Sequence, residues 1–185
     1  MDPEFGSNAT SQFYRTERWL GRLQRIYSGE FQELGSWDEP LDYVLAFFLN
    51  CHHIKDWLRC DPKWFDQVNK DVKGKAVEQF VAESEALRIC ADICNGNKHF
   101  TLDQYRSGSV PASRSRRIKI DLTRDTNVRS IELTLKTVRG PTDALELAQE
   151  CFELWRQFIR NSTPESLNAL ADRYRGRPIR PCSAP

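Results

Sequence analysis

The sequence predicts a mainly α-helical domain, a bundle of about five or six helices with one inserted β-hairpin. Three observations lead to this fold class. Apolar residues recur at helical spacing in several separate segments, the period changes to two between residues 118 and 136, and charged residues make up 29% of the chain, as suits helical surfaces in water. At 185 residues the chain is long enough for one domain with its own core.

The N-terminal part of the chain divides into a vector-derived segment and a helix. Residues 1–7 resemble the scar that an expression vector leaves, so the domain is assigned to residues 8–174. A first helix is predicted from Thr16 to about Phe31. Its apolar residues recur at helical spacing and are Trp19, Leu20, Leu23, Ile26 and Tyr27.

A second helix is predicted from Glu39 to Arg59. Asp38 is its N-cap and Pro40 lies in its first turn. This helix is apolar on nearly every side, which is typical of a helix at the centre of a bundle. Its main apolar face consists of Val44, Phe47, Phe48, Cys51, Ile54 and Leu58.

Two further helices are predicted in the middle of the chain. Gly74 separates a polar stretch from a helix over residues 75–82. The next helix, over residues 84–95, ends at Asn95 and Gly96, because Asn and Gly tolerate the left-handed conformation of a last turn. Its apolar face consists of Ala86, Ile89, Cys90, Ile93 and Cys94, whereas Arg88 and Asp92 lie on the opposite side.

A β-hairpin is predicted at about residues 116–138. It follows a Ser-, Arg- and Pro-rich stretch, residues 108–117, that predicts a mobile loop. Residues 124–127 join the two strands, and a two-stranded hairpin is not stable alone, so its apolar face should pack on the helices. The apolar residues that alternate with polar ones are Ile118, Ile120, Leu122, Ile131, Leu133 and Leu135.

The C-terminal part predicts two helices and a tail. Residues 140–143 begin a long helix that extends to about Arg160. Thr163 and Pro164 then cap a short last helix. Residues 175–185 are rich in Arg and Pro and predict a disordered tail.

Composition narrows the function classes. A net charge of +1 gives no global basic field for nucleic acid, and no apolar run reaches the roughly 18 residues of a membrane span. Four of the six cysteines fall within apolar helical patterns, which is typical of reduced thiols in a cytoplasmic protein. The chain has no phosphate-binding loop, dinucleotide fingerprint, nucleophile elbow or zinc ribbon, so no cofactor is predicted.

The first candidate site follows the predicted helix end at Asn95. His99 is a candidate general acid or base, Lys98 could stabilise a phosphate or an oxyanion, and Asp92 completes a catalytic set. Asn95 and Asn97 are candidate binding residues in the same segment. The alternative is structural, because Lys98 and His99 would also complement the dipole at a helix C-terminus.

The second candidate site lies on the central helix. His52 and Asp56 are four residues apart and share a face, and His53 is three residues from Asp56. Two ligands at this spacing can begin a zinc site, but a third is not identifiable nearby, so no metal is predicted. The alternative to a binding role is structural, a buried histidine hydrogen-bonded to a carboxylate. Lys55 either covers apolar surface while its amine reaches solvent, which is the favoured alternative, or points into a cleft between helices. A cleft lined by Lys55, His99 and Asp92 would be a candidate site.

Residues 50–57, Asn-Cys-His-His-Ile-Lys-Asp-Trp, and residues 93–99, Ile-Cys-Asn-Gly-Asn-Lys-His, resemble a family of uncharacterised bacterial proteins. More distantly, the arrangement is similar to HEPN domains, nucleotide-binding helical bundles that are often dimeric and occur in RNA-cleaving systems. The HEPN signature is an arginine, four to six residues, and a histidine at a helix end. His99 matches that histidine, whereas Arg88 lies a full turn too early to match the arginine.

Two function classes follow. The resemblance implies a HEPN-like domain that binds a nucleotide, RNA or a protein partner, with a homodimer as one arrangement, and the missing arginine favours binding over catalysis. The alternative is an enzyme, a metal-independent ribonuclease or nucleotide-directed enzyme with His99 as acid and base. A purely structural interaction module is a third alternative, and it would lack a polar cleft.

Overall fold

The computed structural model describes residues 9–29, 39–98, 113–121, 128–176 and 178–179. This part of the chain forms six helices and a three-stranded antiparallel sheet, which confirms the predicted mainly α-helical bundle with a β-hairpin. The helices are α1 Ala9–Ser28, α2 Glu39–Cys60, α3 Lys70–Glu83, α4 Glu85–Lys98, α5 Ala144–Asn161 and α6 Pro164–Arg173. The strands are β1 Ser113–Asp121, β2 Val128–Thr137 and β3 Gly140–Asp143. Within these residues no helix is both long and apolar enough to span a membrane.

Helix α2 is the centre of the bundle, as its apolar character predicts. It packs against α1, α3, α4 and α5. Each of the six residues of its predicted apolar face is at most 1% exposed. Because every neighbouring helix contributes apolar side chains to α2, burial on this helix holds the domain together.

Helix α1 begins at Ala9, seven residues before the predicted start. Its first turns lie against the rest of the core: the Phe13 ring stacks on Phe152 at a centroid distance of 4.7 Å. The Asp61 carboxylate accepts a hydrogen bond of 3.0 Å from the Ala9 backbone N–H, which satisfies a donor at the helix start. These contacts with distant residues stabilise the first turns of α1, which lie before the apolar repeat that predicted the helix.

The hairpin packs on the helices through β2, as predicted. Leu133 and Leu135 are buried, and α1 and α5 both contact β2. Strand β1 begins at Ser113, so the prediction of a mobile loop up to Arg117 is wrong for residues 113–117, which pair with β2. The turn predicted at residues 124–127 lies outside the described residues.

Residues 140–143 form strand β3 rather than the start of a long helix, which corrects that prediction. They pair antiparallel with β2, and the tight turn uses Gly140 at a φ of +92°, a conformation that glycine adopts without strain. Asp143 is the N-cap of α5, because its side chain accepts hydrogen bonds from the N–H groups of Leu145 and Glu146. Tyr27 also donates to the Asp143 carboxylate at 3.0 Å, which joins α1 to the start of α5.

Gly74 lies inside α3 and does not separate a loop from a helix, which corrects a second boundary. A Cβ at this position would lie 3.2 Å from Ile179 Cγ2 and 3.3 Å from Arg59 Cδ. The glycine therefore permits a close approach of the C-terminal segment and α2 to α3. Ile179 falls within the predicted disordered tail and is half-buried, whereas Arg177 and residues 180–185 lie outside the described residues.

The four free cysteines of the described chain, Cys51, Cys90, Cys94 and Cys151, are buried, as predicted for core thiols. The Cys90 thiol donates to the Phe48 carbonyl at 3.4 Å, and burial raises the pKa of Cys90 well above its usual value. Cys60 is disulfide-bonded, which the sequence did not indicate. Because disulfides are rare in cytosolic proteins, the cytoplasmic location stays a prediction.

Candidate functional site

The segment that carries the first candidate site continues the helix. Helix α4 extends through Lys98, so the predicted end at Asn95 and Gly96 is wrong. Asn and Gly together cost a helix about 1–2 kcal/mol relative to alanine, which the buried face of α4 offsets. His99 lies outside the described residues, as do the side chains of Lys98 and Asn97, and their roles stay predictions.

Asp92 lies on the inner side of α4, not on its outer side. It is 4% exposed, whereas Asn95, one turn later, is half-buried. Arg88, whose spacing from Asp92 would allow an ion pair on one helix, donates from Nη1 to the Ala82 carbonyl at 2.9 Å. The helical repeat misplaced Asp92 because a broad apolar face leaves few positions that truly face solvent.

The second candidate site forms a short polar row on α2. His53 Nδ1 lies 3.5 Å from Asp56 Oδ2, and Arg59 Nη2 lies 3.4 Å from Asp56 Oδ1. His52, which the sequence paired with Asp56, is 9% exposed, and its ring lies 6.2 Å from the His53 ring. The row His53, Asp56 and Arg59 places two basic groups on either side of one carboxylate.

Asp56 is ionised at neutral pH. Burial raises the pKa of its carboxyl. The hydrogen bond from His53 and the positive charges of Lys55 and Arg59 lower that pKa, and the net shift is downward. A charged Asp56 orients the two basic side chains along the surface of α2. The His53 side chain is more than a third exposed, so a ligand can reach it.

Lys55 points between two helices rather than into solvent, so the favoured alternative is wrong. It is 8% exposed, and its amine donates to Glu78 Oε1 on α3 at 2.8 Å. The amine therefore ends in an ion pair between two helices rather than in solvent. This contact assigns Lys55 a role in positioning α2 against α3, the two helices that border the cavity described next.

A polar pocket of about 500 Å³ opens where α2 ends and α3 begins. Its volume is within the range of small-molecule sites. The Arg59 side chain joins it to the polar row on α2. The residues that line it are Arg59, Cys60, Asp61, Pro62, Asp66, Gln67, Val68, Asn69, Lys70 and Lys73.

The pocket contains three basic side chains and two acidic ones, and the acidic residue Asp61 is already engaged. Its carboxylate accepts from the backbone N–H groups of Ala9 and Lys63. Lys73 is buried, and its amine donates to the carbonyls of Asp61 and Trp64 at 3.0 and 2.8 Å. Burial lowers the pKa of Lys73, while the charge of Asp61 opposes that shift.

Among the basic side chains that line the pocket in the described structure, Arg59 has unused hydrogen-bonding capacity. Its Nε is buried and has no hydrogen-bond partner in the described structure. A buried N–H without an acceptor costs about 1–3 kcal/mol. Because Arg59 also lines the pocket, its guanidinium places a positive charge there. Lys70 lies in the first turn of α3 with an exposed side chain, so it adds positive charge at the mouth of the pocket.

The turn that forms one wall of the pocket contains a strained residue. Phe65 has a φ of +49°, which is uncommon for a bulky residue. The Val68 N–H donates to the Phe65 carbonyl at 3.0 Å, and the Trp64 ring packs edge-on against the Phe65 ring. These contacts hold the strained backbone in place, a combination that occurs often beside functional sites.

The sequence did not identify the pocket, although it marked the stretch from Asp61 as polar. The available signal was a run in which charged residues alternate with the apolar anchors Trp64, Phe65 and Val68. Nothing in that run shows which side chains converge, because α2 and α3 must first pack together. Among the described residues, no three His, Cys, Asp or Glu side chains are grouped so that they could hold a metal ion.

Comparisons with protein-family models, curated proteins and solved structures find no match for this chain. The resemblance to HEPN domains therefore stays a prediction. The structure brings His53, Asp56 and Arg59 together at one end of α2 and adds the pocket beside them. The predicted cleft lined by Lys55, Asp92 and His99 stays a prediction, because His99 lies outside the described residues.

Proposed function

We propose that this domain is a ribonucleotide-binding module and that the phosphate groups of its ligand lie in the pocket between α2 and α3. The observation that carries the proposal is the Arg59 side chain, which lines the pocket and whose buried Nε has no hydrogen-bond partner in the described structure. Guanidinium groups recognise phosphate oxygens through charge-assisted hydrogen bonds. Lys70 and Lys73 supply further positive charge around the same volume.

The polar row on α2 supports a nucleotide rather than a bare anion. His53 and Asp56 lie one to two turns before Arg59 and provide both donors and acceptors beside the pocket. A sugar or base placed on this row could exchange hydrogen bonds with these two side chains. The similarity to HEPN domains, which bind nucleotides, is a separate reason to choose ribonucleotides among the anionic ligands.

The proposal includes no catalytic step. Phosphodiester cleavage needs an acid and a base at the scissile phosphate, and the sequence lacks the arginine of the HEPN signature, so the proposal is limited to binding. A protein partner or a second copy of the chain, which the resemblance also implies, would be compatible with a binding module. The polar pocket argues against the purely structural alternative.

Titration calorimetry with ATP, AMP and inorganic phosphate tests the proposal. We expect the wild-type protein to bind ATP, and Arg59→Ala to weaken binding by about tenfold to a hundredfold, because a hydrogen bond to a charged group contributes about 1.5–3 kcal/mol. Lys70→Gln should weaken binding less, because Lys70 lies at the exposed mouth.

Arg160→Ala is the matched control, since it removes an exposed arginine from the last turn of α5. Equal ATP affinity for Arg59→Ala and Arg160→Ala would contradict the proposal, and so would the absence of any binding to ATP or phosphate. Because Arg59 also packs against Gly74, circular dichroism should accompany the titration, and Lys70→Gln provides a second test that does not disturb packing.

A further inference from the structure

Helix α1 carries a row of arginines beside its contact with α2. Arg15, Arg18, Arg22 and Arg25 are spaced by three, four and three residues, so they lie on one side of the helix. Arg18 and Arg25 are exposed, and Arg15 and Arg22 are half-buried. At a rise of 1.5 Å per residue the row is about 15 Å long.

Aromatic side chains alternate with these arginines. The Arg22 guanidinium lies 4.4 Å from the centre of the Trp19 ring, and the Trp19 ring packs edge-on against Tyr43 of α2 at 5.8 Å. One to two turns away, the Arg15 guanidinium lies 5.8 Å from the ring of Trp57. Cation–π contacts of this kind keep planar charged groups and aromatic rings together at the surface.

Carboxylates in the described part of the chain leave three arginines of this row unneutralised. In the part of the chain that the structure describes, Arg15, Arg18 and Arg22 form no ion pair, whereas arginines on α2, α5, α6 and the β2–β3 turn do. Glu17 is the single acidic residue in the sequence of α1. The row therefore has a local positive field that a chain with a net charge of +1 does not have as a whole.

We propose that the surface formed by Arg15, Arg18, Trp19, Arg22, Tyr43 and Trp57 binds single-stranded RNA. The arginines would contact successive phosphates, and the aromatic rings would stack on bases. Unpaired bases are favoured because only they expose a π-face for stacking. The choice of RNA among polyanions rests on the ribonucleotide binding proposed above, although this surface is separate from the pocket.

The two surfaces are neighbours along α2. Trp57 lies one turn after His53, and His53 begins the polar row that leads through Asp56 to Arg59. A strand bound along α1 could therefore continue over α2 and place a terminal or looped nucleotide in the pocket. Because the two surfaces are neighbours, the nucleotide in the pocket would be part of the RNA strand bound along α1.

Fluorescence anisotropy with a labelled, unstructured RNA of about 12 nucleotides tests the proposal. Arg18→Gln and Arg22→Gln should each weaken binding and each lower the slope of log K against log salt concentration by about 0.7, the value for one phosphate contact on a single strand. Arg160→Gln on α5 is the matched control and should leave the affinity and the slope unchanged.

Trp19 tests the stacking contribution separately. Trp19→Ala should weaken RNA binding by about fivefold to a hundredfold without changing the salt slope, because stacking does not release counterions. Trp19→Phe keeps a ring and should retain most of the affinity. Since Trp19 is half-buried, circular dichroism checks the fold, and the exposed Arg18 provides a variant that does not depend on packing.

Several results would overturn this proposal: no RNA binding at low salt, an unchanged slope in both arginine variants, equal affinity for duplex RNA, or tighter binding of single-stranded DNA. ATP affinity separates it from the pocket proposal. If Arg18→Gln lowers RNA affinity and leaves ATP affinity intact, both proposals are supported. If RNA binding follows the arginine row while ATP does not bind, the pocket proposal fails and this one holds.

Discussion

At the scale of single residues, the polar side chains of α2 differ in burial and therefore in role. Lys55 is buried and pairs with Glu78 across two helices, whereas His53 and Asp56 remain more than a third exposed and near the pocket. One turn of sequence thus contains a residue that fixes helix packing and residues that remain available to a ligand. Burial, rather than residue type, decides which role each one takes.

The Lys55–Glu78 pair predicts a clear mutational asymmetry. Glu78→Ala leaves a buried amine without its partner, and we expect it to lower the free energy of unfolding by about 3 kcal/mol. Replacing both residues, as Lys55→Met with Glu78→Leu, should recover most of that loss. Urea denaturation measures both changes.

The exposed Lys75–Asp71 pair on α3 is the control, and Lys75→Ala should cost less than about 1 kcal/mol. If Glu78→Ala proved no more destabilising than Lys75→Ala, the structural role assigned to the Lys55 pair would be wrong.

At the scale of elements, capping groups set the boundaries that hydrophobic periodicity leaves uncertain. Asp143 begins α5 because its side chain accepts two backbone N–H groups, and Thr163 begins α6 through a capping box with Ser166. Asp143 also receives a hydrogen bond from Tyr27, and burial raises the pKa of that phenol, so it remains a neutral donor. The same aspartate thus joins α1, β2 and α5.

Removal of the two caps should therefore have unequal effects. Asp143→Ala loses a cap and the bond from Tyr27, and we expect a loss of about 2 kcal/mol in the free energy of unfolding. Thr163→Ala loses a cap alone, at the end of the domain, and should cost about 1 kcal/mol. Urea denaturation of both variants and of Tyr27→Phe measures the difference, and equal losses for Asp143→Ala and Thr163→Ala would show that Tyr27 adds nothing.

At the scale of the whole molecule, the candidate functional surfaces lie around the central helix. Helix α2 contributes its inner face to the core, one flank to the arginine row on α1, and its C-terminal turn to the pocket with α3. A helix that contacts four others positions these surfaces rigidly relative to one another. The RNA strand proposed above would lie over the outer side of α1 and α2.

A comparison of wild-type protein with His99→Ala distinguishes binding from the alternative of RNA cleavage. We expect mixed RNA to remain intact with both proteins, because the sequence lacks the arginine that HEPN ribonucleases use at the scissile phosphate. Gel analysis after prolonged incubation measures the result. Degradation by the wild-type protein that is lost in His99→Ala would establish His99-dependent cleavage and contradict a purely binding function.

The sequence predicted the elements that depend on local pattern. The apolar face from Val44 to Leu58 placed α2 at the centre, alternation identified Leu133 and Leu135 as the inner face of the hairpin, and Thr163 with Pro164 identified α6. The errors occurred where a distant contact overrides a local signal. Gly74 suggested a break but permits close packing with Ile179 and Arg59, and Asp92 suggested an exposed position but is buried.

The sequence by itself determined the helical bundle, its central helix and the hairpin, because hydrophobic periodicity is a local property that each segment carries independently. Only the tertiary structure decided the candidate functional surfaces. Arg59 lines the same pocket as Lys70 and Lys73, and the Arg15 guanidinium contacts the Trp57 ring. Both arrangements arise because helices from different parts of the chain pack side by side. Spacing along one helix cannot encode such convergence, since it depends on the angle and register at which two helices meet.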